Sequence, residues 1–336
     1  METNNISNRK TDHIQLAFDA QAPGHDPRFD YEPVLNGHPL PGSVPTLQVC
    51  GKILRLPIFV SSMTGGAEHT GNINRNLALA CREYGMGMGL GSCRPILEDE
   101  SHLPDFAIRQ YIGDQPFFAN LGIAQIEELL YTGQENRIAD LVKMLEADGL
   151  IVHINPLQEW LQPEGDRFLH PPLETIKRLL DVFKLPVIVK EVGQGMGPQS
   201  LRELAKLPLE AIDFGAQGGT NFSLLETLRR DTFFREQYEP IAHLGHTVVE
   251  MTKIVQEIIL DPNAEILTRS FIVSGGIKNF LDGYFHIQSI PYKAMYAQAS
   301  VFLKFALEGE EALMRFTEAQ MRGLEMAYNY LKVRKQ

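Results

Sequence analysis

The chain contains the apolar run GLIVHIN at residues 149–155, the segment PLETIKRLLDVFK at residues 172–184 and the run LPVIVKEVG at residues 185–193. The two runs are short and rich in valine and isoleucine, which favours buried β-strands. The segment between them has apolar residues at the spacing of one helix face. A strand, a helix and a second buried strand in succession are typical of parallel βαβ units. These residues therefore predict an α/β fold.

The same alternation extends over most of the chain. Further candidate strands are LPIFVSSM (56–63), MGMGLGS (86–92), PFFANLG (116–122), LEAIDFG (209–215), FIVSGGI (271–277) and KAMYAQAS (293–300). Helical spacing recurs in NRNLALACREYG (74–85), ENRIADLVKMLEADG (135–149), SLRELAKL (200–207) and HTVVEMTKIVQEIIL (246–260). Eight strands that alternate with helices predict a TIM (β/α)8 barrel, with a doubly wound open sheet as the alternative.

Two segments lie outside this alternation. Residues 1–50 are polar and rich in proline and glycine, whereas EEALMRFTEAQMRGLEMAYNYL at residues 310–331 has helical spacing. We therefore expect an N-terminal extension and a C-terminal helix around the barrel. Because no linker or low-complexity tract divides the sequence, a single domain over residues 1–336 is expected.

The composition is that of a globular protein, with 44% hydrophobic and 22% charged residues. The net charge of -11 argues against a nucleic-acid partner, because phosphate neutralisation needs a surplus of lysine and arginine. Cys50, Cys81 and Cys93 are widely spaced, which predicts neither a disulfide framework nor a zinc site and favours a reducing, cytoplasmic location. The sequence lacks an apolar signal segment and a run long enough to span a membrane, so we expect a soluble protein without a membrane partner.

Polar and glycine-rich residues follow the predicted strands. Examples are SSMTGG (61–66), GSCR (91–94), Asn120, GAQGGTNF (215–222) and SGGIK (274–278). Active sites of a TIM barrel lie where the carboxyl ends of its strands meet. The glycine turns after the sixth and seventh strands are candidates for a phosphate site, although each glycine alone could be a simple turn former.

The segment HINPLQEWLQPEGD at residues 153–166 places a histidine, several amides and several acids directly after the fourth strand. Pro156, Leu157 and Trp160 are unusual in a merely solvated connection. A polar loop with one packed tryptophan is the alternative. Because loops at strand ends often carry function, we interpret this segment as part of the active site.

Lys190 lies within the apolar strand LPVIVKEV. Burying an unpaired ammonium costs several kcal/mol, so the side chain must meet an anion or reach solvent. Two interpretations stay open. Lys190 could form a structural pair with Glu191 or another acid at a strand end, or it could stabilise an electron-rich ring or a phosphate at the barrel mouth.

Together these motifs resemble those of the type 2 isopentenyl diphosphate isomerases, flavin-dependent enzymes of isoprenoid biosynthesis. The motifs that agree, in the same order, are RKTDHI (9–14), SSMTGG, GSCR, HINPLQEWLQPEGD, VKEVGQGMG (189–197), GGTNF (218–222) and VSGGIK (273–278). The fourth and fifth motifs together are the most specific. The resemblance implies a barrel that interconverts isopentenyl and dimethylallyl diphosphates with FMN, Mg²⁺ and NADPH, as a homotetramer or homo-octamer.

By position in these motifs, the resemblance also implies a substrate and metal site. The catalytic and substrate-facing residues would be His153, Asn155, Gln158 and Lys190. Glu159 would bind Mg²⁺, a hard cation that prefers oxygen ligands. The N-terminal segment 1–50 and the second strand would hold the diphosphate through Arg9, Lys10, His13, Ser92 and Arg94.

The resemblance implies an FMN site in the same barrel. The flavin ring would be surrounded by Ser62, Met63, Thr64 and Gly65, and its polar edge would meet Ser92, Asn120 and Lys190. The FMN phosphate would be held by residues of the last three strand-end turns, namely Thr220, Gly275, Gly276, Lys278, Ala299 and Ser300. Reduced FMN would stabilise the positive charge that develops as the double bond moves.

Two other functions are compatible with parts of the sequence. An FMN-dependent oxidase or dehydrogenase would explain the glycine turns and Lys190, but neither HINPLQEWLQPEGD nor RKTDHI. It would oxidise its substrate stoichiometrically, whereas an isomerase causes no net redox change. A non-enzymatic flavin-binding or phosphate-binding protein would bind its ligand without turnover.

Overall fold

A computed structural model describes residues 2–22, 24–61 and 70–334 of the chain, with side chains described from residue 9 onward. Its strands are β1 (Phe29–Tyr31), β2 (Leu47–Val49), β3 (Lys52–Leu54), β4 (Ile58–Val60), β5 (Gly87–Gly89), β6 (Phe117–Gly122), β7 (Gly149–Ile154), β8 (Val187–Glu191), β9 (Ala211–Asp213), β10 (Phe271–Ser274), β11 (Ala294–Gln298) and β12 (Leu331–Val333).

The helices surround these strands. They are α1 (Glu2–Leu16), α2 (Thr70–Tyr84), α3 (Arg94–Glu98), α4 (Leu103–Phe106), α5 (Arg109–Ile112), α6 (Ile123–Tyr131), α7 (Asn136–Met144), α8 (Pro156–Leu161), α9 (Pro172–Val182), α10 (Pro198–Ala205), α11 (Phe222–Leu228), α12 (Thr232–Tyr238), α13 (Val248–Leu260), α14 (Phe280–Ser289), α15 (Ser300–Glu308) and α16 (Glu310–Tyr330). Short 3-10 helices cover Glu100–His102 and Glu239–His243. Within the described residues, no helix combines the length and apolar character needed to cross a membrane.

Strands β4 to β11 form a closed parallel barrel in the order β10-β11-β4-β5-β6-β7-β8-β9. Each of these strands lies within a segment predicted from the sequence. The barrel closes where β4 pairs with β11, with Ile58 opposite Tyr296. Closure excludes the open doubly wound sheet and confirms the TIM barrel. Helix α16 confirms the expected C-terminal helix.

Large apolar side chains fill the barrel interior. Phe59, Phe118, Ile151 and Ile188 belong to one buried cluster. Neighbouring residues of the same strands belong to a second cluster beneath the helices, as the alternation of side chains along a strand requires. Because the interior is packed, a ligand site must lie at an end of the barrel.

The hairpin β2–β3 closes the amino end of the barrel. Leu54 packs into the interior cluster. Glu210, just before β9, accepts the N–H of Cys50 at 2.9 Å. Lys293, just before β11, donates to the carbonyl oxygen of Gln48 at 2.9 Å. Both contacts lie where strands begin, so the carboxyl ends of the strands form the other, more open end.

The N-terminal extension begins with α1, which contains RKTDHI, and the described residues from 9 to 22 are exposed. Farther along, β1 pairs antiparallel with β12 and attaches the extension to the end of α16. Arg28 strengthens this attachment through an ion pair with Asp282 of α14 at 2.8 Å, while Asp26 of the extension pairs with the same guanidinium at 2.7 Å. The extension is therefore tied to the barrel at several points from residue 28 onward, whereas α1 presents its basic residues to solvent.

Candidate active site

A cavity of about 430 Å³ lies at the carboxyl ends of the barrel strands. Many of the predicted site residues line it, namely Ser92, Asn120, His153, Gln158, Lys190, Thr220, Gly275, Gly276, Lys278, Ala299 and Ser300. Closure of the barrel brings these residues together from both halves of the chain.

The other predicted residues do not line this cavity or are not described. Arg9, Lys10 and His13 lie exposed on α1. Arg94, Asn155 and Glu159 lie in a hydrogen-bonded network beside the cavity. Ser62, Met63, Thr64 and Gly65 lie outside the described residues.

Glycines after β9 and β10 bring two turns together at the cavity wall. Gly218 has a φ of 115° and Gly275 a φ of 93°, values that residues with side chains rarely adopt. A Cβ atom on Gly275 would lie 2.0 Å from the carbonyl oxygen of Ala216, and one on Gly218 would lie 3.3 Å from the Cα of Gly276. Because only glycine permits this approach at Gly275, the wall is formed by main chain, an arrangement that suits a phosphate group.

Lys190 borders the cavity and also pairs with a buried acid. Its Nζ donates to the carbonyl oxygen of Glu191 at 2.9 Å and lies 3.7 Å from Oδ2 of Asp213, an ion-pair distance too long for a hydrogen bond. Ser274 donates to the other Asp213 oxygen. The predicted pairing with an acid at a strand end is confirmed, and the partner is Asp213 rather than the Glu191 carboxylate.

Glu191 shapes the turn after β8. Its Oε2 accepts the backbone N–H groups of Gly193, Gln194 and Gly195 at 2.7, 2.6 and 2.8 Å. Burial raises the pKa of Glu191 to about 7, against the opposing effect of these three hydrogen bonds and the Lys190 charge. The turn held in this way contributes Gly193 to the cavity wall.

His153 is oriented by Asn120. Because Nδ2 of Asn120 donates to the carbonyl oxygen of Leu90 at 2.9 Å, its Oδ1 faces Nδ1 of His153, also at 2.9 Å. Nδ1 therefore carries the hydrogen, and Nε2 is the acceptor nitrogen. Burial lowers the pKa of His153 to about 4, and the charge of Lys190 adds to this effect. The imidazole is thus neutral at neutral pH.

The segment HINPLQEWLQPEGD contains the short helix α8, which begins at Pro156, a position where proline is favoured. The buried Asn155 donates through Nδ2 to Oε1 of Gln158 at 3.1 Å and to Oε1 of Glu159 at 2.8 Å. Oε2 of Glu159 accepts the backbone N–H of Asp166 at 2.7 Å. One buried amide therefore orients the two side chains predicted to meet substrate and metal.

Glu226 on α11 was not predicted, yet it lies against Gln158. Its side chain is buried, and its Oε1 accepts from Nε2 of Gln162 at 2.9 Å and from Nε2 of Gln158 at 3.4 Å. Arg229 pairs with its Oε2 at 2.7 Å. The amide of Gln158 thus directs its oxygen toward Asn155 and its nitrogen toward Glu226. No sequence signal identifies Glu226, because it is 68 residues from Gln158 on a helix of ordinary composition.

Arg94 reaches the turn that carries the predicted metal ligand. Its Nη1 lies 2.8 Å from Oδ2 of Asp166, and its Nε lies 2.8 Å from Oε1 of Glu98. In the part of the chain that the structure covers, no three His, Cys, Asp or Glu side chains converge as a metal cluster. A cation at Glu159 would therefore take most of its ligands from substrate oxygens and water, as Mg²⁺ commonly does.

Trp160 does not pack into the core, contrary to the alternative interpretation of a polar loop with one packed tryptophan. The residue is 63% exposed. The guanidinium of Arg167 lies 5.4 Å from the centre of its ring. The tryptophan therefore contributes surface near the site rather than core volume.

Ser61, Ser274 and Gln298 also line the cavity. Ser61 and Ser274 lie in the predicted strand-end segments SSMTGG and SGGIK, although no role was predicted for either, whereas Gln298 was not predicted. Ser274 and Gln298 are the last residues of β10 and β11, and Ser61 directly follows β4. A polar residue at the end of an apolar strand is the same signal that identified Lys190. The sequence pattern could therefore have indicated Gln298 as well.

Several curated relatives of this chain are named isopentenyl-diphosphate delta-isomerase. The chain is 34% identical to the isopentenyl-diphosphate delta-isomerase of Nostoc sp. over 320 residues. This alignment covers 92% of this chain and 87% of the relative. It is 35% identical to the isopentenyl-diphosphate delta-isomerase of Rickettsia felis over 265 residues. That alignment covers 78% of this chain and 73% of the relative. No protein-family model matches the sequence.

A solved structure supports the architecture. The recombinant flavin-binding domain of baker's yeast flavocytochrome b2 aligns with a TM-score of 0.61 and 14% identity, over 89% of this chain and 70% of that chain. At this identity the likeness concerns the fold alone. The sequence relatives, by contrast, match over most of both chains. The chain belongs to the isopentenyl-diphosphate delta-isomerase family.

Proposed function

We propose that this protein is a type 2 isomerase that interconverts isopentenyl diphosphate and dimethylallyl diphosphate in isoprenoid biosynthesis, with FMN bound in the cavity. The observation that carries the proposal is the convergence of His153, Gln158, Lys190 and two glycine turns on one cavity, in a chain of this family. Residues 1–336 would act as one domain.

The cavity suits FMN in size and lining. Its volume of about 430 Å³ falls in the range of roughly 300–1,000 Å³ typical of small-molecule sites. The glycine turns would take the phosphate, together with Thr220, Lys278, Ala299 and Ser300. Ser92, Asn120 and Lys190 would meet the polar edge of the flavin, and residues 62–65 would complete the ring site.

The side chains of the cavity suit an alkene isomerisation. Reduced FMN, when bound, would supply an electron-rich ring that stabilises carbocation-like character. His153 is neutral, so it can hydrogen-bond to the substrate without opposing the positive charge that develops there. Gln158 would position the substrate, because Asn155 and Glu226 already fix both ends of its amide.

The direct test is an assay of the purified protein with isopentenyl diphosphate, FMN, Mg²⁺ and NADPH without oxygen. We expect dimethylallyl diphosphate to appear, detected by NMR, with NADPH needed only to reduce the flavin. Substrate oxidation in step with reductant or oxidant would favour the oxidase interpretation. FMN binding without turnover would favour a non-enzymatic binding protein.

A first prediction concerns Glu159, the proposed Mg²⁺ ligand. Glu159→Gln removes the negative charge that a hard cation prefers, so we expect the half-maximal Mg²⁺ concentration to rise at least about tenfold. Excess Mg²⁺ should restore part of the activity. The control is Glu164→Gln in the same segment, whose side chain is paired with Arg229 at 2.8 Å. If both variants have the Mg²⁺ dependence of the native protein, Glu159 is not the metal ligand.

A second prediction concerns Arg9 and Lys10, which we propose close over the diphosphate with His13, Ser92 and Arg94. Both lie exposed on α1, so this role requires α1 to move toward the cavity when substrate binds. Replacing both with alanine removes two charge-assisted hydrogen bonds, and the substrate KM should rise at least about tenfold with unchanged FMN affinity. Arg322→Ala on α16 is the control. An unaltered KM in the double variant would exclude this role.

We further propose that the protein works as a homotetramer or homo-octamer in the cytoplasm, with NADPH as its reductant. Exposed apolar side chains support association, among them Leu228 at 53% and Phe233 at 74% exposure. The free thiols of Cys50, Cys81 and Cys93 are compatible with a reducing compartment. Light scattering of the purified protein measures the oligomer size, and a monomer at micromolar concentration would contradict the proposal.

A further inference from the structure

Gln298 ends strand β11 at the wall of the cavity. Its side chain is almost entirely buried, with 4% of the residue exposed. Nε2 donates to the carbonyl oxygen of Ile277 at 3.0 Å. Oε1, in contrast, has no hydrogen-bond partner among the residues that the structure describes. The amide nitrogen of Gln298 therefore has a hydrogen-bond partner among the described residues, and the amide oxygen has none.

The orientation of the amide is fixed by its surroundings. Rotating it by half a turn would place Oε1 against the carbonyl oxygen of Ile277, so that two acceptors would face each other. The main chain is also held, because the backbone N–H of Ser61 donates to the carbonyl oxygen of Gln298 at 3.1 Å and Gln298 is in register with Val60 of β4. The unsatisfied group is thus an acceptor and stays in place.

A buried carbonyl without a donor destabilises the folded protein, so such groups usually meet a ligand or an ordered water. Gln298 borders the cavity that we propose holds FMN, and the group that fills this cavity can supply the missing donor. Gln298 also directly precedes Ala299 and Ser300 and contacts the main chain just before Lys278. Lys278, Ala299 and Ser300 belong to the proposed phosphate site.

We propose that Oε1 of Gln298 accepts a hydrogen bond from a hydroxyl group of the ribityl chain of FMN. The phosphate is attached to the end of this chain, so its hydroxyls are the FMN donors nearest to the phosphate turns. The ring N–H group lies at the opposite end of the cofactor, where Lys190 and Asn120 are proposed to act. Gln298 would therefore recognise the sugar-alcohol part of the cofactor. This inference rests on the proposed FMN site.

The experiment measures the Kd of FMN and of analogues that each lack one ribityl hydroxyl, by quenching of flavin fluorescence. The proteins are the native chain, Gln298→Met, Gln298→Leu and the control Gln320→Met. Gln320 is a similarly buried amide, but it lies on α16 and accepts from the hydroxyl of Tyr296 at 3.1 Å. We expect the native chain to bind one analogue about tenfold more weakly than FMN, the effect of one neutral hydrogen bond.

In Gln298→Met and Gln298→Leu, FMN and that same analogue should bind with equal Kd, because the acceptor is gone. Gln320→Met should keep the native discrimination. The proposal is overturned if the native chain binds FMN and all analogues equally, or if the discrimination persists in a folded Gln298 variant. The native protein alone decides the first outcome, even if both Gln298 variants misfold. A complete lack of FMN binding by the native chain would instead overturn the FMN site itself.

Discussion

Lys190→Met is expected to weaken FMN binding by about 10- to 100-fold and to lower the free energy of unfolding by about 3 kcal/mol. FMN should bind more weakly because the variant loses a charge-assisted contact to the flavin. We propose this contact because Lys190 lies at the cavity wall. The second effect arises because Asp213 is 1% exposed and would lose the cation 3.7 Å from its Oδ2. A buried carboxylate left without its partner typically costs several kcal/mol.

The double variant Lys190→Met/Asp213→Asn separates these two effects. Removing both charges leaves a neutral site, and Ser274 can still donate to the remaining oxygen, so we expect at least half of the lost stability to return. FMN affinity should stay low, because the lysine is absent. Denaturant unfolding measures the stability, and flavin fluorescence measures the Kd.

Lys293→Met is the matched control for this experiment. Its Nζ donates to the carbonyl oxygen of Gln48 at the amino end of the barrel, far from the carboxyl ends that form the cavity. FMN should bind to this variant with the native Kd. Unchanged FMN affinity in Lys190→Met would remove the lysine from the cofactor site, and unchanged stability would mean that the pair with Asp213 contributes little.

The barrel was predictable because its signal is local. Each barrel strand is a short apolar run, and strands buried on both faces need such runs regardless of what they pack against. The same local signal identified Lys190, because a charged residue inside the apolar run 185–193 has few compatible surroundings. It also applies to Gln298, which was not predicted because an amide at a strand end is less unusual than an ammonium.

The partners within the site were not predictable in the same way. Asp213 ends strand β9 and could have been proposed as the partner of Lys190, since the two are adjacent in register. Glu226, however, contacts Gln158 only because α11 packs on α8, and no periodicity or spacing in the sequence encodes that contact. Helix α8 was also not predicted, because its six residues are too few to show helical periodicity.

Gln158→Ala is expected to lower kcat by about 10²- to 10³-fold, with FMN affinity and Mg²⁺ dependence unchanged. The amide of Gln158 lines the cavity and is oriented before substrate arrives, by Asn155 at its oxygen and by Glu226 at its nitrogen. A contact made mainly in the transition state from such a fixed group is worth roughly 2–4 kcal/mol. Because Glu159 keeps its own hydrogen bond from Asn155, added Mg²⁺ should not restore the activity.

Gln162→Ala distinguishes substrate contact from mere support of the helix. Gln162 directly follows α8 and donates to the same Glu226 oxygen at 2.9 Å, but it does not line the cavity formed by the described residues. Its loss should loosen the junction of α8 and α11 at least as much as the loss of Gln158, whose bond to Glu226 is longer at 3.4 Å. If Gln158 acts on the substrate, kcat of Gln162→Ala stays within about threefold of the native value, well below the loss expected from a transition-state contact. Equal losses in the two variants would assign the effect to packing around Glu226, and Gln158 would then have no direct role in the reaction.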